Sequence, residues 1–274
     1  MQIIEVEKKN RKFIKKDKIN FPLISIITVS FNSEKYIEQT IKSVLDQSYK
    51  NIEYIIIDGG SSDQTVKIIK KYNNKIDYWV SQKDSGLWNA MNKGINLCNG
   101  SVIGIINSDD YYYKNAIQVV ADYFNKYPEI DFVFGSVKKY KLMHGFAPWK
   151  VKWSFGFYTS HSVGFFIRSS SQRILNKYNE KYHSADLDLF YRAIVKFKMK
   201  GMATKKKEIM GVFRKGGISS RLNYIEHLKD LNRIRIDNGQ NIIFVYIIFL
   251  YKIIKNFKKI ITSIIKNNLN TYVK

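Results

Sequence analysis

The residues best suited to chemistry lie in short acidic stretches, and the tightest is Ile103-Gly-Ile-Ile-Asn-Ser-Asp-Asp110, an apolar run closed by two adjacent carboxylates. Like charges side by side repel, and neither is cheap to bury without a cation or hydrogen-bond donors nearby. A divalent metal carrying a phosphorylated ligand would relieve that conflict, and so would plain solvation of a turn after a strand. Asp58, in Asp58-Gly-Gly-Ser-Ser-Asp63, and Asp84, in Asp84-Ser-Gly86, close or follow two further apolar runs. Their use depends on whether the chain brings all four acids to one place.

The elements that must do so are legible. Leu23–Ser30 reads as a buried strand, and Ser33 is placed to cap a helix from Glu34 to about Gln47, with Ile37, Ile41, Val44 and Leu45 at helical spacing. A second strand spans Ile52–Ile57; the Gly59-Gly60 pair permits a tight turn, and Ser61 or Ser62 can cap a helix running to about Tyr72. A third strand is Ile76–Val80, a helix with Ala90, Met91 and Ile95 follows Gly86, and a fourth strand is Ser101–Ile106. This alternation predicts βαβ units in a mostly parallel sheet. Asp58, Asp84, Asp109 and Asp110 then collect at the C-terminal edge of the strands, where open α/β sheets bind ligands. Beyond them the pattern predicts a helix over Ala116–Phe124, one strand over Asp131–Val137, and a helix through Phe197 capped by Ser184. The aromatics of 140–165, among them Trp149, Trp153, Phe155, Phe157 and Tyr158, serve either as core or as a sugar-stacking platform.

With 274 residues, 45% of them hydrophobic and 15% aromatic, the chain can bury one large α/β core and is not disordered. Its formal net charge of +23 is uneven: residues 196–274 hold 18 Lys/Arg against four acids. A localised basic surface calls for an anionic partner such as a membrane, a nucleic acid or a phosphorylated substrate. The single cysteine, Cys98, excludes an intrachain disulfide and fits a reducing compartment. Residues 1–20 are charged and lack the apolar centre of a signal peptide, so the expectation is a cytoplasmic protein. Ile242–Tyr251 is apolar throughout but too short to span a bilayer. In 252–266, Lys252, Lys255, Lys259 and Lys266 take one helical face and isoleucines with Phe257 the other. Such a basic amphipathic helix can lie in an anionic membrane interface, here the inner face of the cell membrane, or dock on a second subunit. The chain accordingly divides into a leader (1–20), a catalytic domain (21–220) and a helical basic tail (221–274).

In order and interval, five segments resemble the glycosyltransferase family 2 enzymes: Ser25-Ile-Ile-Thr-Val-Ser-Phe-Asn32, Ile57-Asp-Gly-Gly-Ser-Ser-Asp-Gln-Thr65, Asp84-Ser-Gly-Leu-Trp-Asn-Ala-Met-Asn-Lys-Gly94, Asn107-Ser-Asp-Asp110 and Ser184-Ala-Asp-Leu-Asp-Leu189. The resemblance spans about Leu23 to Ser220. It implies a GT-A fold, a mostly parallel central sheet flanked by helices, and the Asp84–Gly94 segment is similar to bacterial enzymes of capsule, O-antigen or exopolysaccharide synthesis. It further implies an inverting transfer from a nucleotide-sugar, a UDP-sugar in first place, to a hydroxyl of a lipid-linked glycan.

The site residues follow from that resemblance. Thr28, Ser30, Asn32 and Glu34 would offer polar groups near the base, and Asp58 would accept a hydrogen bond from base or ribose, unless it serves as a turn aspartate. Lys83 and Asp84 would lie over the ribose or donor sugar, with Asn92 either facing the same cleft or exposed to solvent. Asn107, Ser108, Asp109 and Asp110 form this chain's version of the family's Asp-x-Asp motif, with Asn107 where many relatives carry Asp. Hard oxygen ligands suit Mn²⁺ or Mg²⁺, with Asp109 the main ligand and Asp110 the second. For the base that deprotonates the acceptor hydroxyl, Asp186 matches the family's catalytic aspartate, whereas Asp188 has Arg192 four residues on as an ion-pair partner. His161 would fall on the acceptor side unless it is a structural residue beside a strand, and Gly217 and Ser219 belong either to a loop that closes over substrates or to a plain turn.

Two other readings predict different behaviour. A non-catalytic basic adaptor would bind membrane or nucleic acid in a salt-sensitive way, indifferent to Asp109 or Asp186. It would have no use for strand-end acids, and no nucleic acid is expected as partner. A nicotinamide-dependent oxidoreductase would need a Gly-rich turn after the first strand, where this chain has Ser30-Phe-Asn-Ser-Glu34.

Overall fold

A strand covered on both faces can be apolar from end to end, and the first two strands are of this kind: β1 (Ile24–Ser30) and β2 (Ile52–Asp58) are buried at every position. The structure, a computed structural model, describes residues 15–18, 21–153, 161–214 and 224–257. Around those strands the order is α1 (Ile37–Leu45), α2 (Thr65–Lys71), β3 (Tyr78–Ser81), α3 (Leu87–Asn96), β4 (Val102–Asn107), β5 (Tyr111–Tyr112), α4 (Ala116–Lys126), β6 (Phe132–Phe134), β7 (Ser136–Lys138) and β8 (Leu142–Met143). Then come α5 (Pro148–Lys152), β9 (Phe165–Arg168), α6 (Ser169–Leu175), α7 (Ala185–Tyr191), β10 (Gly201–Ala203), β11 (Ile209–Val212), α8 (Tyr224–Asp237) and α9 (Ile242–Lys255).

The described residues fall into two compact units. The first holds residues up to 147, 161–178 and 198–214; the second holds 148–153, 179–197 and 224–257. This grouping differs from a division at residue 220, because α5 and α7 join the C-terminal helices.

In the first unit a seven-stranded sheet runs β10-β6-β9-β4-β1-β2-β3. Its pairings are parallel except where β9 lies antiparallel between β4 and β6. The parallel register sets Ser30 opposite Asp58, and Asp58 opposite Ser81, so three strand ends finish in one row. Alternate residues of β1 and β2, including Ile24, Ile26, Tyr54 and Ile56, pack with α1, α2 and α4 in one core. On the other face α3 comes so near that a Cβ on Gly94 would stand 2.5 Å from Ile27 Cγ2. A second sheet, β5-β11-β7-β8, joins the chain just after the Asp109-Asp110 pair to β11. The single strand expected over Asp131–Val137 is two strands in two different sheets. They part at Gly135, where a Cβ would collide with Met210 Cγ at 2.1 Å.

In the second unit α7 continues into a π-helical turn at Arg192–Lys196. Buried Arg235 of α8 donates to the carbonyl of Val151 and to Gln240 Oε1, tying α5 to α8. No helix among the described residues is long and apolar enough to cross a membrane.

Candidate active site

The row of strand ends is organised by one carboxylate. Asp58 is fully buried and accepts five hydrogen bonds: Oδ1 from Ser30 Oγ (2.9 Å) and Ser61 Oγ (2.6 Å), Oδ2 from Ser81 Oγ (2.7 Å) and the N–H groups of Gly60 (3.2 Å) and Ser61 (2.9 Å). Both oxygens are thus taken by the turn and the neighbouring strands. The structure shows Asp58 in the turn-organising role. Ser30 is likewise turned inward by the register, and Thr28, fully buried, bonds Tyr54 Oη at 3.0 Å inside the sheet. Neither offers its hydroxyl to a base as the sequence reading supposed.

Asn32 and Glu34 are exposed but bonded to the adjacent loop. Asn32 adopts φ +46°, a left-handed conformation Asn tolerates better than most residues. Its Oδ1 accepts the Ser62 N–H (2.9 Å) and its own N–H donates to Ser61 Oγ (2.8 Å). Glu34 accepts from the Gln64 N–H (2.9 Å), while its N–H donates to Asp63 (3.1 Å). The loops after β1 and β2 therefore brace each other. Ser61 and Ser62 are spent in this bracing and do not cap α2, and Ser33 bonds Ser108 Oγ (2.7 Å) in place of capping α1.

Over the same edge lies Lys83-Asp84. A Cβ on Gly59 would stand 3.0 Å from the Asp84 carboxylate, and one on Gly60, at φ +83°, 3.0 Å from the Lys83 nitrogen. Two successive glycines let this loop settle on the turn. Asp84, half-buried, fixes its own loop by accepting the Gly86 N–H at 2.9 Å, and the Lys83 side chain is exposed. Asn92 departs from expectation. It is buried, and its amide makes two bonds to the backbone of Tyr178, Oδ1 from the N–H (2.8 Å) and Nδ2 to the carbonyl (3.0 Å), beside Trp88 stacked on the Tyr178 ring. It clamps α3 to that segment.

The acidic turn after β4 is held by its main chain. Thr40 Oγ1 donates to the carbonyls of Ser108 (2.8 Å) and Asp110 (2.6 Å), and the Arg214 guanidinium takes the carbonyl of Asp109 between them. The Arg214 N–H donates to Asp110 Oδ1 at 2.8 Å. Asp110 is fully buried, and burial, reinforced by the charge of Asp109, holds its carboxyl well above the usual carboxylate range. Asp109 is half-buried, and desolvation raises it as well. Asn107 Nδ2 reaches Ser162 Oγ at 3.2 Å.

Asn107 Oδ1 and Asp110 Oδ2 are buried acceptors without hydrogen-bond partners. With the Asp109 carboxylate they make an all-oxygen donor set, the chemistry a hard divalent ion takes. Asp109 is the better exposed of the two carboxylates. Asp110, enclosed and tied to the Arg214 N–H, chiefly braces the turn. No group of three His, Cys, Asp or Glu side chains is poised around an ion among the described residues, so a bound ion would draw further ligands from substrate oxygens or water.

His161 stacks on Phe213 with ring centroids 3.9 Å apart, and its Nε2 lies 3.4 Å from Lys139 Nζ. Burial, with Lys139 second, pushes its pKa down to about 4, so the imidazole is neutral at physiological pH. Gly217 and Ser219 lie outside the described residues. In the second unit, Asp186 stands in the first turn of α7, its Oδ1 accepting the Leu187 N–H at 2.9 Å. Desolvation first, and Asp230 to a lesser degree, raise its pKa to about 6. Asp188 forms the expected ion pair with Arg192 (2.9 Å) and also accepts from Asn238 (2.9 Å).

Residues 25–196 match the sequence profile of a family described as glycosyl transferase family 2, well over half of the chain. The chain belongs to that family. Among curated family 2 relatives, chondroitin synthase of Escherichia coli is 36% identical over 107 residues, which is 38% of this chain and 16% of that protein. An uncharacterized glycosyltransferase of Rickettsia prowazekii (strain Madrid E) is 36% identical over 118 residues, 43% of this chain and 37% of that protein. The match thus spans well under half the length of either relative. The fold is that of GT-A glycosyltransferases. The S. aureus TarS fragment 1–349 in complex with UDP superposes with a TM-score of 0.62 at 16% identity, covering 78% of this chain and 64% of that one. Mannosyltransferase PcManGT from Pyrobaculum calidifontis, in complex with GDP-Man and Mn²⁺, gives 0.62 at 12% identity, covering 92% and 76%.

For this family 2 chain, reasoning from sequence did not single out Arg214 or Thr40. An arginine directly after a strand and a threonine inside an amphipathic helix carry no local signal. Only the pairing of β11 with β5, which brings distant residues to the acidic turn, shows their use.

Proposed function

We propose that the protein transfers a sugar, with inversion, from a nucleotide-sugar donor, a UDP-sugar in first place, to a hydroxyl of a lipid-linked glycan in surface-polysaccharide synthesis. The observation that carries this is the acidic turn: Asp109 with two partnerless acceptor oxygens at the C-terminal edge of a parallel sheet, in a fold whose solved relatives include UDP and GDP-Man complexes. Asp109, with Asn107 Oδ1 and Asp110 Oδ2 behind it, would hold Mn²⁺ or Mg²⁺. When bound, the ion supplies charge neutralisation for the departing diphosphate. The Lys83-Asp84 loop, resting on Gly59-Gly60, flanks the ribose and donor sugar.

Asp186 acts as base. The acceptor oxygen bonds to the anomeric carbon, the bond from that carbon to the diphosphate oxygen breaks, the nucleoside diphosphate leaves, and the hydroxyl proton passes to the Asp186 carboxylate. A pKa of about 6 suits this: the group is ionised at pH 7 yet more basic than an ordinary aspartate. His161, neutral, is assigned to the acceptor side as a hydrogen-bonding group and not as a cation.

The lipid-linked acceptor also gives α9 a use. Ile243, Ile247, Leu250 and Ile254, flanked by Tyr246 and Tyr251, are each about half exposed or more on one helical face. At 14 residues the helix is about 21 Å long, short of a roughly 30 Å hydrocarbon core, so it would lie in an anionic interface and not cross it.

Calorimetric titration with UDP and GDP, each with Mn²⁺ and with EDTA, on wild type and Asp109→Ala tests the donor site. Metal-dependent binding of one nucleotide, lost in the variant, is expected; absence of binding by either nucleotide overturns the reading. For the tail, flotation with vesicles containing anionic lipid is expected to carry wild type but not Ile247→Glu/Leu250→Glu, and equal flotation of both would remove α9 from the interface.

A further inference from the structure

We propose that Arg214 is a positioning residue that locks the Asp109-Asp110 turn in the form that receives a divalent ion. The inference rests on the donor-site reading above and adds a residue to it. Three consecutive carbonyls, of Ser108, Asp109 and Asp110, are each taken by a side chain arriving from outside the turn. The single hydroxyl proton of Thr40 of α1 is shared between the outer two, and Arg214 holds the middle one. These contacts restrain the peptide planes of the turn and so fix the direction in which the Asp109 Cβ leaves the backbone.

Arg214 is itself held as a strut. One guanidinium nitrogen donates to the Asp109 carbonyl and another to Gln39 Oε1 of α1, and Cζ lies 4.4 Å from the Tyr36 ring centroid and 5.1 Å from that of Tyr111. Its backbone N–H takes Asp110 Oδ1. The antiparallel pairing of Val212 with Tyr111 and Gly211 with Tyr112 delivers it there. Arg suits this work better than Lys, because a rigid planar group can bridge two acceptors and stack between two rings at once.

The strut and a mere neighbouring charge predict opposite signs. A cation beside two carboxylates repels Mn²⁺, so as a charge alone its removal would tighten metal binding. As a strut, its removal loosens the turn and weakens binding, by roughly 10-fold or more for loss of charge-assisted hydrogen bonds.

The experiment is Mn²⁺ binding, read as free-ion electron paramagnetic resonance in the presence of UDP, on folded wild type, Arg214→Ala, Arg214→Lys and Gln39→Leu. Expected are weaker binding in Arg214→Ala, little recovery in Arg214→Lys although the charge is kept, and a smaller loss in Gln39→Leu. Unchanged or tighter binding in Arg214→Ala, or full recovery in Arg214→Lys, overturns the strut. If Arg214→Ala does not fold, Arg214→Lys and Gln39→Leu decide alone: wild-type affinity in both overturns the proposal. Failure of the wild type to bind Mn²⁺ with UDP would instead overturn the donor-site reading itself.

Discussion

Replacing Asp58 separates a turn-organising carboxylate from a ligand contact, and the size of the effect follows from the five donors it serves. Asp58→Asn leaves one acceptor oxygen and introduces an N–H₂ group. The amide has a good orientation: its oxygen can face the N–H groups of Gly60 and Ser61 together with Ser81 Oγ, leaving the N–H₂ toward Ser30 Oγ and Ser61 Oγ. Hydroxyls can rotate to accept, whereas backbone N–H groups cannot. The loss is then mainly that of charge assistance, about 1–2 kcal/mol. Asp58→Ala strands two N–H groups and three hydroxyls at once. At about 1–3 kcal/mol for each group left unsatisfied, with water relieving those nearest the surface, the total is at least about 4 kcal/mol.

At roughly 2–4 °C per kcal/mol for a domain of this size, thermal unfolding should show Asp58→Asn lower by a few degrees and Asp58→Ala by roughly 10 °C or more. Nucleotide affinity in Asp58→Asn should fall only in proportion to the loosening of the turn. Refutation would be the reverse pattern, with both variants as stable as wild type and both devoid of nucleotide binding. That result would make Asp58 a direct ligand contact.

Three more outcomes are expected. Asp186→Asn should lower kcat about 100- to 10,000-fold, as for loss of a general base, and the wild-type rate should rise through about pH 6. Because burial raises this carboxyl above its unfolded pKa, the folded chain bears the cost of the charge only above that range. Asp186→Asn should therefore be at least as stable as wild type at pH 8, the difference vanishing below about pH 4; lower stability at pH 8 contradicts the burial argument. His161 is depressed to about 4, so the fold resists its protonation and loses stability as the pH falls from about 6.5 through 4; His161→Phe should flatten that part of a melting-temperature profile, and an unchanged slope excludes His161 as its source. Gly211→Ala places a Cβ 2.2 Å from the Tyr111 carbonyl oxygen, a backbone atom that cannot yield without moving β5. It should cost about 1–3 kcal/mol in urea unfolding and weaken metal-dependent nucleotide binding, and retention of both would show that β5 shifts freely.

The sheet and its acidic edge were readable because local signals agreed there. The runs Ile24–Ser30, Ile52–Asp58 and Val102–Asn107 are apolar, β-branched and bounded by polar loops, and each became a strand within a residue or two of its expected limits. What failed was set by distant partners. Asp131–Val137 looks like one strand, but Met210, some 75 residues on, crowds Gly135 and the chain changes sheet there. Thr28, Ser30 and Asn92 are polar residues beside a cleft in sequence, but register and helix phase turn them onto Tyr54, Asp58 and Tyr178. Within the tail expected to be helical, the limits of α8 were not legible, because Glu226, Lys229, Arg233 and Arg235 dilute its apolar stripe. Asp188 paired with Arg192 as spacing predicted, since an i,i+4 contact needs nothing beyond the helix itself.

The bonds that close the acidic turn reach far along the chain: 70 residues from Thr40 to Asp110 and 105 from Asp109 to Arg214. During synthesis β1, β2 and β4 can pair as soon as residue 107 has emerged, but the turn above them waits for another hundred residues. A half-made chain has the parallel β4-β1-β2-β3 part of its sheet and not yet its finished rim. Closure over such separations carries a large entropic cost and comes late in folding. A fragment ending before Arg214 would therefore lack the contacts that finish this turn.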